Sequence, residues 1–115
     1  MNTPRTRKVA SSLKRELAEL LLFESRNPLF KEIVITRVEV SKDLRVAHVF
    51  YTNYLHRDID RKMQDEQLER AAPYFARQLR GRFTMKHFPE LRFKYDTELE
   101  QVERIDSILK DIQSR

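Results

Sequence analysis

The chain has 115 residues, no cysteine and a single glycine, Gly81. Without cysteine there are no disulfides, no thiolate metal sites and no thiol nucleophile, and a reducing cytosol suits such a sequence. With one glycine, phosphate loops of the Walker or dinucleotide type cannot be built, because they need several glycines at fixed spacing to bring backbone against phosphate. Nucleotide-driven chemistry is thereby set aside. Long apolar runs are missing as well: the longest is the four residues Leu20 to Phe23, far short of the roughly 20 that a membrane span requires. No apolar core of signal-peptide length stands near the start. The expectation is a cytoplasmic protein with no membrane partner.

What the sequence does have is charge. Charged residues make up 36% of it and hydrophobic ones 40%, enough for one modest core under a polar surface. Residues 1–115 are therefore expected to form one domain. The net charge is +5, and the cations cluster. Residues 1–20 carry five basic and two acidic groups, residues 70–94 seven and one, residues 95–115 three and six. Clustered cations point to a polyanionic partner, above all nucleic acid.

Apolar spacing sets out the elements. Val9, Leu13, Leu17, Leu20 and Leu21 recur at helical intervals, predicting a first helix over 6–25, stopped by Asn27-Pro28. The segment "IVITRVEVS" alternates, with Val34, Thr36, Val38 and Val40 on one face and Ile33, Ile35 and Arg37 on the other. "LRVAHVFYT" alternates after a turn at Ser41-Lys42-Asp43, so the two read as a hairpin. Leu68, Ala72, Phe75, Leu79 and Phe83 form the stripe of a helical segment over 59–85 that contains Pro73. "ELRFKYD" reads as a third strand after Pro89. A last helix is expected from a capping box of Thr97 and Glu100, with Leu99, Val102, Ile105, Leu109 and Ile112 as its apolar face. This order predicts an α+β fold with a three-stranded sheet covered on one face by helices.

Proline lacks an N–H and pushes the preceding residue out of the helical region, so a break is expected between Ala72 and Pro73. Pro73 would then start a new helix, whose unpaired amides and partial positive charge favour phosphate. Arg70, Tyr74, Arg77 and Arg80 lie off the apolar stripe around that point, an aromatic among cations as suits a stacked base with phosphates beside it. Ala71 and Ala72 leave room for a nucleic-acid backbone to approach. Arg5, Arg7 and Lys8 near the start, with Lys42 and Arg45 at the hairpin turn, are further candidate phosphate contacts.

The opening "RTRKVASSLKRELAELL", the hairpin "VEVSKDLRVAHVFYT", the stretch "AAPYFARQLRGRF" and the run "PELRFKYDTELEQVERIDSIL" together resemble the ribosome-binding factor A family over nearly the whole length. The resemblance implies a KH-like domain of type II order, α-β-β-α(kink)α-β with a C-terminal helix. It further implies binding to 16S rRNA within the free small (30S) ribosomal subunit, with small-subunit proteins and other assembly factors as further contacts. Assistance with late maturation and rRNA processing, and growth in the cold, also follow from it. Two departures stand out: Pro73 occupies a position where the family commonly has glycine, and "RNPLF" replaces an Asp-Pro-Arg-Leu pattern.

Catalytic readings find little support. His48, His56 and His87 show no metal-ligand spacing; His48 alternates with Val46 and Phe50 and reads as a packed strand residue. The carboxylates Asp58, Asp60, Asp65, Glu66 and Glu69 mix with Arg57, Arg61 and Lys62 as an ion-paired surface. No metal, no cofactor and no enzymatic activity are expected, and the chain reads as a monomer. The residues alone leave open a general KH-type RNA binder and a protein-interaction adaptor using the acidic C-terminal helix.

Overall fold

The computed structural model describes residues 3–24, 27–53, 60–98 and 108–113. Helix α1 (Pro4–Glu19) begins at an N-cap that closes on itself. The Thr3 hydroxyl accepts the Thr6 N–H at 3.1 Å, and the Thr6 hydroxyl accepts the Thr3 N–H at 2.9 Å. Pro4 takes the first helical position, where its missing N–H costs nothing. The helix expected over 6–25 is α-helical only to Glu19 and widens into a π turn, Leu20–Glu24. The extra residue in that turn lets both Leu20 and Leu21 reach the core beside Leu13 and Leu17, while Leu22 and Phe23 are left exposed.

Strands β1 (Ile33–Val40) and β2 (Val46–Asn53) form the expected antiparallel hairpin, and β3 (Glu90–Tyr95) joins β2 in parallel, giving sheet order β1-β2-β3. The faces of β1 differ from the alternation. Ile35 pairs with Tyr51 and Arg37 with Phe50, so Thr36 is an extra residue. This bulge shifts the side-chain parity by one. Ile33 and Ile35 face the core before it, Val38 and Val40 after it, and Val34 is exposed. The Thr36 hydroxyl donates to the Asp96 carboxylate at 2.5 Å, fixing the bulge to the end of β3. His48, expected to pack, is exposed on the open sheet face opposite Glu39 and Arg92.

Helix α2 (Arg61–Arg80) runs uninterrupted, with Pro73 inside it. The predicted division between Ala72 and Pro73 is absent, and with it the second helix N-terminus and its bare amides. Two facts explain how the helix carries the proline. Ala72 is buried while Pro73 is exposed, so the ring points to water rather than into the packing. Only one main-chain donor is lost, leaving the Glu69 carbonyl without its usual i+4 partner. Pro73→Ala is expected to restore that bond and stabilise the protein by about 1–3 kcal/mol. A rise in melting temperature checks this; an unchanged or lower value would contradict a continuous helix there.

Leu68, Ala72, Phe75 and Leu79 of α2 share one apolar cluster with the leucines of α1 and the inner faces of all three strands, so both helices cover the same side of the sheet. Phe75 sits at its centre, with ring centroids 5.7 Å from Phe30 and 6.0 Å from Phe93, edge to face. Polar ties fix α2 to the sheet. The buried Tyr51 hydroxyl donates to the Asp65 carboxylate, and burial, followed by that bond, pushes its pKa up. Glu69 Oε1 accepts the N–H of Phe93 at 3.1 Å on the outer edge of β3. In the last predicted helix, Thr97, Glu98 and residues 108–113 are helical, and Leu109 and Ile112 are exposed. The proposed cap partner Glu100 and Leu99, Val102 and Ile105 lie outside the described residues.

Candidate nucleic-acid interface

The hairpin turn is a rigid knot of polar bonds. The Ser41 hydroxyl donates to Asp43 Oδ1 at 2.7 Å and accepts the N–H groups of Arg45 at 3.2 Å and Val46 at 3.0 Å. Asp43 Oδ1 also accepts the Arg45 N–H at 3.1 Å. The Ser41 hydrogen bond, and then that of the Arg45 amide, hold the Asp43 carboxyl below its ordinary value. Its hold on the turn is therefore complete at neutral pH and fades only as pH falls through the lowered value. At the apex Leu44 has φ of 61°, the left-handed region that a branched side chain avoids. Such strain persists only where surrounding bonds over-determine it, and here they do.

That turn forms one wall of an open cleft of about 660 Å³. Arg5, at the second position of α1, forms another. The third is the loop Thr84–Phe88 between α2 and β3, held by Phe88 packed edge to face on Phe83 at 5.7 Å and by the Glu90 N–H donating to the Arg45 carbonyl at 2.8 Å. The cleft thus gathers Arg5, Lys42, Arg45 and Lys86, with His87 beside them, from three separate parts of the chain. Among the described residues Asp43 is its one acid, and that carboxylate is engaged by the turn. The positive end of the α1 dipole adds to the field. Leu44, Met85 and Phe88 supply a partly buried apolar lining between the cations.

Of the residues singled out from sequence, Arg5, Lys42 and Arg45 therefore meet at one place. Arg7 and Lys8 are exposed on α1 but do not line the cleft. Arg70, Tyr74, Arg77 and Arg80 form a second feature: an exposed row along α2 about 15 Å long at 1.5 Å per residue. None of those three guanidinium groups is ion-paired among the described residues, whereas Arg82 is held by Glu16 at 2.9 Å, tying the end of α2 to α1. Tyr74 is 40% exposed, with its ring edge on Phe75 at 5.9 Å. The row ends at Arg80, shortly before the chain enters the cleft wall at Thr84. Ala72, expected to admit a backbone, is turned into the core instead, and Ala71 is half-buried. Pro73 is exposed but borders a small acidic recess with Glu69 and Glu90, an environment that repels phosphate.

On sequence alone His87 beside Lys86 reads as a further RNA contact, whereas Met85 carries no such signal. They lie in an irregular loop with no period to place them; the basic run over 70–94 was the available signal. Among the described residues no group of three or more His, Asp or Glu could hold a metal ion, and no helix is long and apolar enough to cross a membrane.

A two-layer α+β fold of this strand order, helices on one face and cations gathered at the hairpin end, is a KH-like domain. Residues 5–109 match the family described as ribosome-binding factor A, and this chain belongs to that family. It is 37% identical to ribosome-binding factor A of Halothermothrix orenii over 97% of this chain and 91% of the relative. The solution structure of a ribosome binding factor A from Thermotoga maritima superposes with a TM-score of 0.68 at 31% identity, covering 82% of this chain and 90% of that one. A homology model of Thermus thermophilus ribosome binding factor A, as fitted into the cryo-EM map of its 30S complex, gives a TM-score of 0.60 at 26% identity, covering 74% and 88%.

Proposed function

We propose that this chain is a non-enzymatic assembly factor of the cytoplasm that docks on the free small ribosomal subunit and grips its 16S rRNA. In this reading it acts as a single-domain monomer, needs no cofactor, and assists late maturation and processing of the precursor rRNA. The observation that carries the reading is the meeting of Arg5, Lys42, Arg45 and Lys86 in one cleft, with only an engaged acid among them. The α2 row of Arg70, Arg77 and Arg80 extends the same field, and Tyr74 offers a ring among them. Lysine and arginine contacts to phosphate give affinity by releasing condensed counterions, so binding should weaken steeply with salt. Family membership and the Thermus thermophilus relative seen on the 30S particle support the small subunit as the source of that RNA.

The experiment is a sucrose-gradient profile of cell lysate, followed by immunodetection. The protein is expected to travel with free small subunits, and a strain lacking it to accumulate precursor 16S rRNA, most of all in the cold. Migration with neither free subunits nor precursors would overturn the reading.

A further inference from the structure

The cleft is larger than phosphate binding requires, and part of its lining is apolar. A phosphate group needs a few donors on a surface, whereas about 660 Å³ lies within the range that encloses small organic ligands. The lining is also divided in character. Arg5, Lys42, Arg45 and Lys86 project cations, while Leu44, Met85 and Phe88, each partly buried and the first and last packed against the core, add apolar lining among them. An anion alone gives that apolar surface no occupant. A nucleotide has both parts: a flat base for the apolar lining and phosphates for the cations.

The rigidity of the site fits the same occupant. The turn holds Leu44 at φ 61° through the Ser41 and Asp43 bonds, so its side chain is presented without a folding adjustment on binding. Phe88 is likewise set by its edge contact with Phe83. Preorganised apolar walls with few rotatable bonds reduce the ordering cost of capture.

We infer that the cleft receives a single unstacked nucleotide of single-stranded RNA, its base against Leu44, Met85 and Phe88 and its flanking phosphates on the surrounding cations. This rests on the RNA-binding reading above and names what one part of that surface takes. It makes the cleft a reader of base presence, whereas the α2 arginines meet backbone.

The test compares two five-nucleotide RNA strands of equal charge by fluorescence anisotropy at low salt: one wholly abasic, the other carrying one central base. Wild-type protein is expected to bind the strand with the base about tenfold more tightly, the scale of one stacked base. Met85→Ser, with folding checked by its melting curve, is expected to lose that difference while keeping salt-dependent binding to the abasic strand. Equal binding of both strands by wild-type protein would overturn the nucleotide proposal and leave the RNA reading standing. So would a base-dependent gain that Met85→Ser retains. Failure to bind either strand, with small subunits also unbound, would defeat both.

Discussion

Reversing three charges of the cleft at once, Lys42→Glu, Arg45→Glu and Lys86→Glu, is expected to lower affinity for free small subunits by about a hundredfold or more at physiological salt. The three side chains come from the hairpin turn and the α2–β3 loop and converge on one space. All three are exposed, and among the described residues only Arg45 is ion-paired, with Asp43 at 3.9 Å, an exposed pair of little worth. Folding should therefore be left almost untouched. The salt dependence supplies a second readout: a plot of log affinity against log salt should lose about 0.9 of slope for each phosphate contact removed, close to 3 in all. Co-sedimentation at several salt concentrations measures both quantities. Undiminished binding with an unchanged slope would remove the cleft from the interface.

Phe75→Ala should act on the other side of the ledger, costing about 3–5 kcal/mol of stability. The ring is 1% exposed and meets Phe30, Phe93 and Tyr74. It joins the short turn ahead of β1, the edge strand β3 and helix α2, three elements distant in sequence. Truncation removes the apolar transfer term and leaves a cavity that three ring neighbours cannot close without leaving their edge-to-face geometry. For a chain of this size the melting temperature should fall by roughly 10–25 °C. A circular dichroism melt reads it directly. A fall of only a degree or two would mean that this aromatic junction is not the centre of the core.

Much of the fold was legible because apolar periodicity is strong in these elements. The stripe Leu68, Ala72, Phe75 and Leu79 reappears as the buried face of α2, and the hairpin forms where its turn residues predict. Where the reading failed, a single residue changed local geometry. Thr36 enters β1 as a bulge and reverses which face the later side chains take, something alternation cannot register because it assumes a constant period. Leu20 opens a π turn that places two adjacent leucines inward. The local rule for Pro73 removes one amide hydrogen bond and crowds one carbonyl. Burial of Leu68, Ala72, Phe75 and Leu79 along one continuous face outweighs a single lost hydrogen bond whose acceptor lies near the surface.

The candidate site divides in the same way. Lys42 and Arg45 were visible as turn cations and Arg5 as part of a basic start, yet their meeting depends on parallel pairing of β3 with β2. That pairing brings Glu90 against Arg45 and carries Lys86 and His87 to the hairpin end. Contacts of that sequence separation leave no trace in local pattern. The proposed bare amides at Pro73 depended on a helix break that the structure does not contain, and the α2 arginines stand without it.

Photocrosslinking from within the complex tests the central claim most directly. A benzophenone amino acid placed at His87, at the cleft, is compared with one at His48, exposed on the open sheet face. On irradiation with bound small subunits, crosslinks to 16S rRNA are predicted from position 87 and not from position 48. Crosslinks to RNA from position 48 alone, with only protein captured from position 87, would contradict the account.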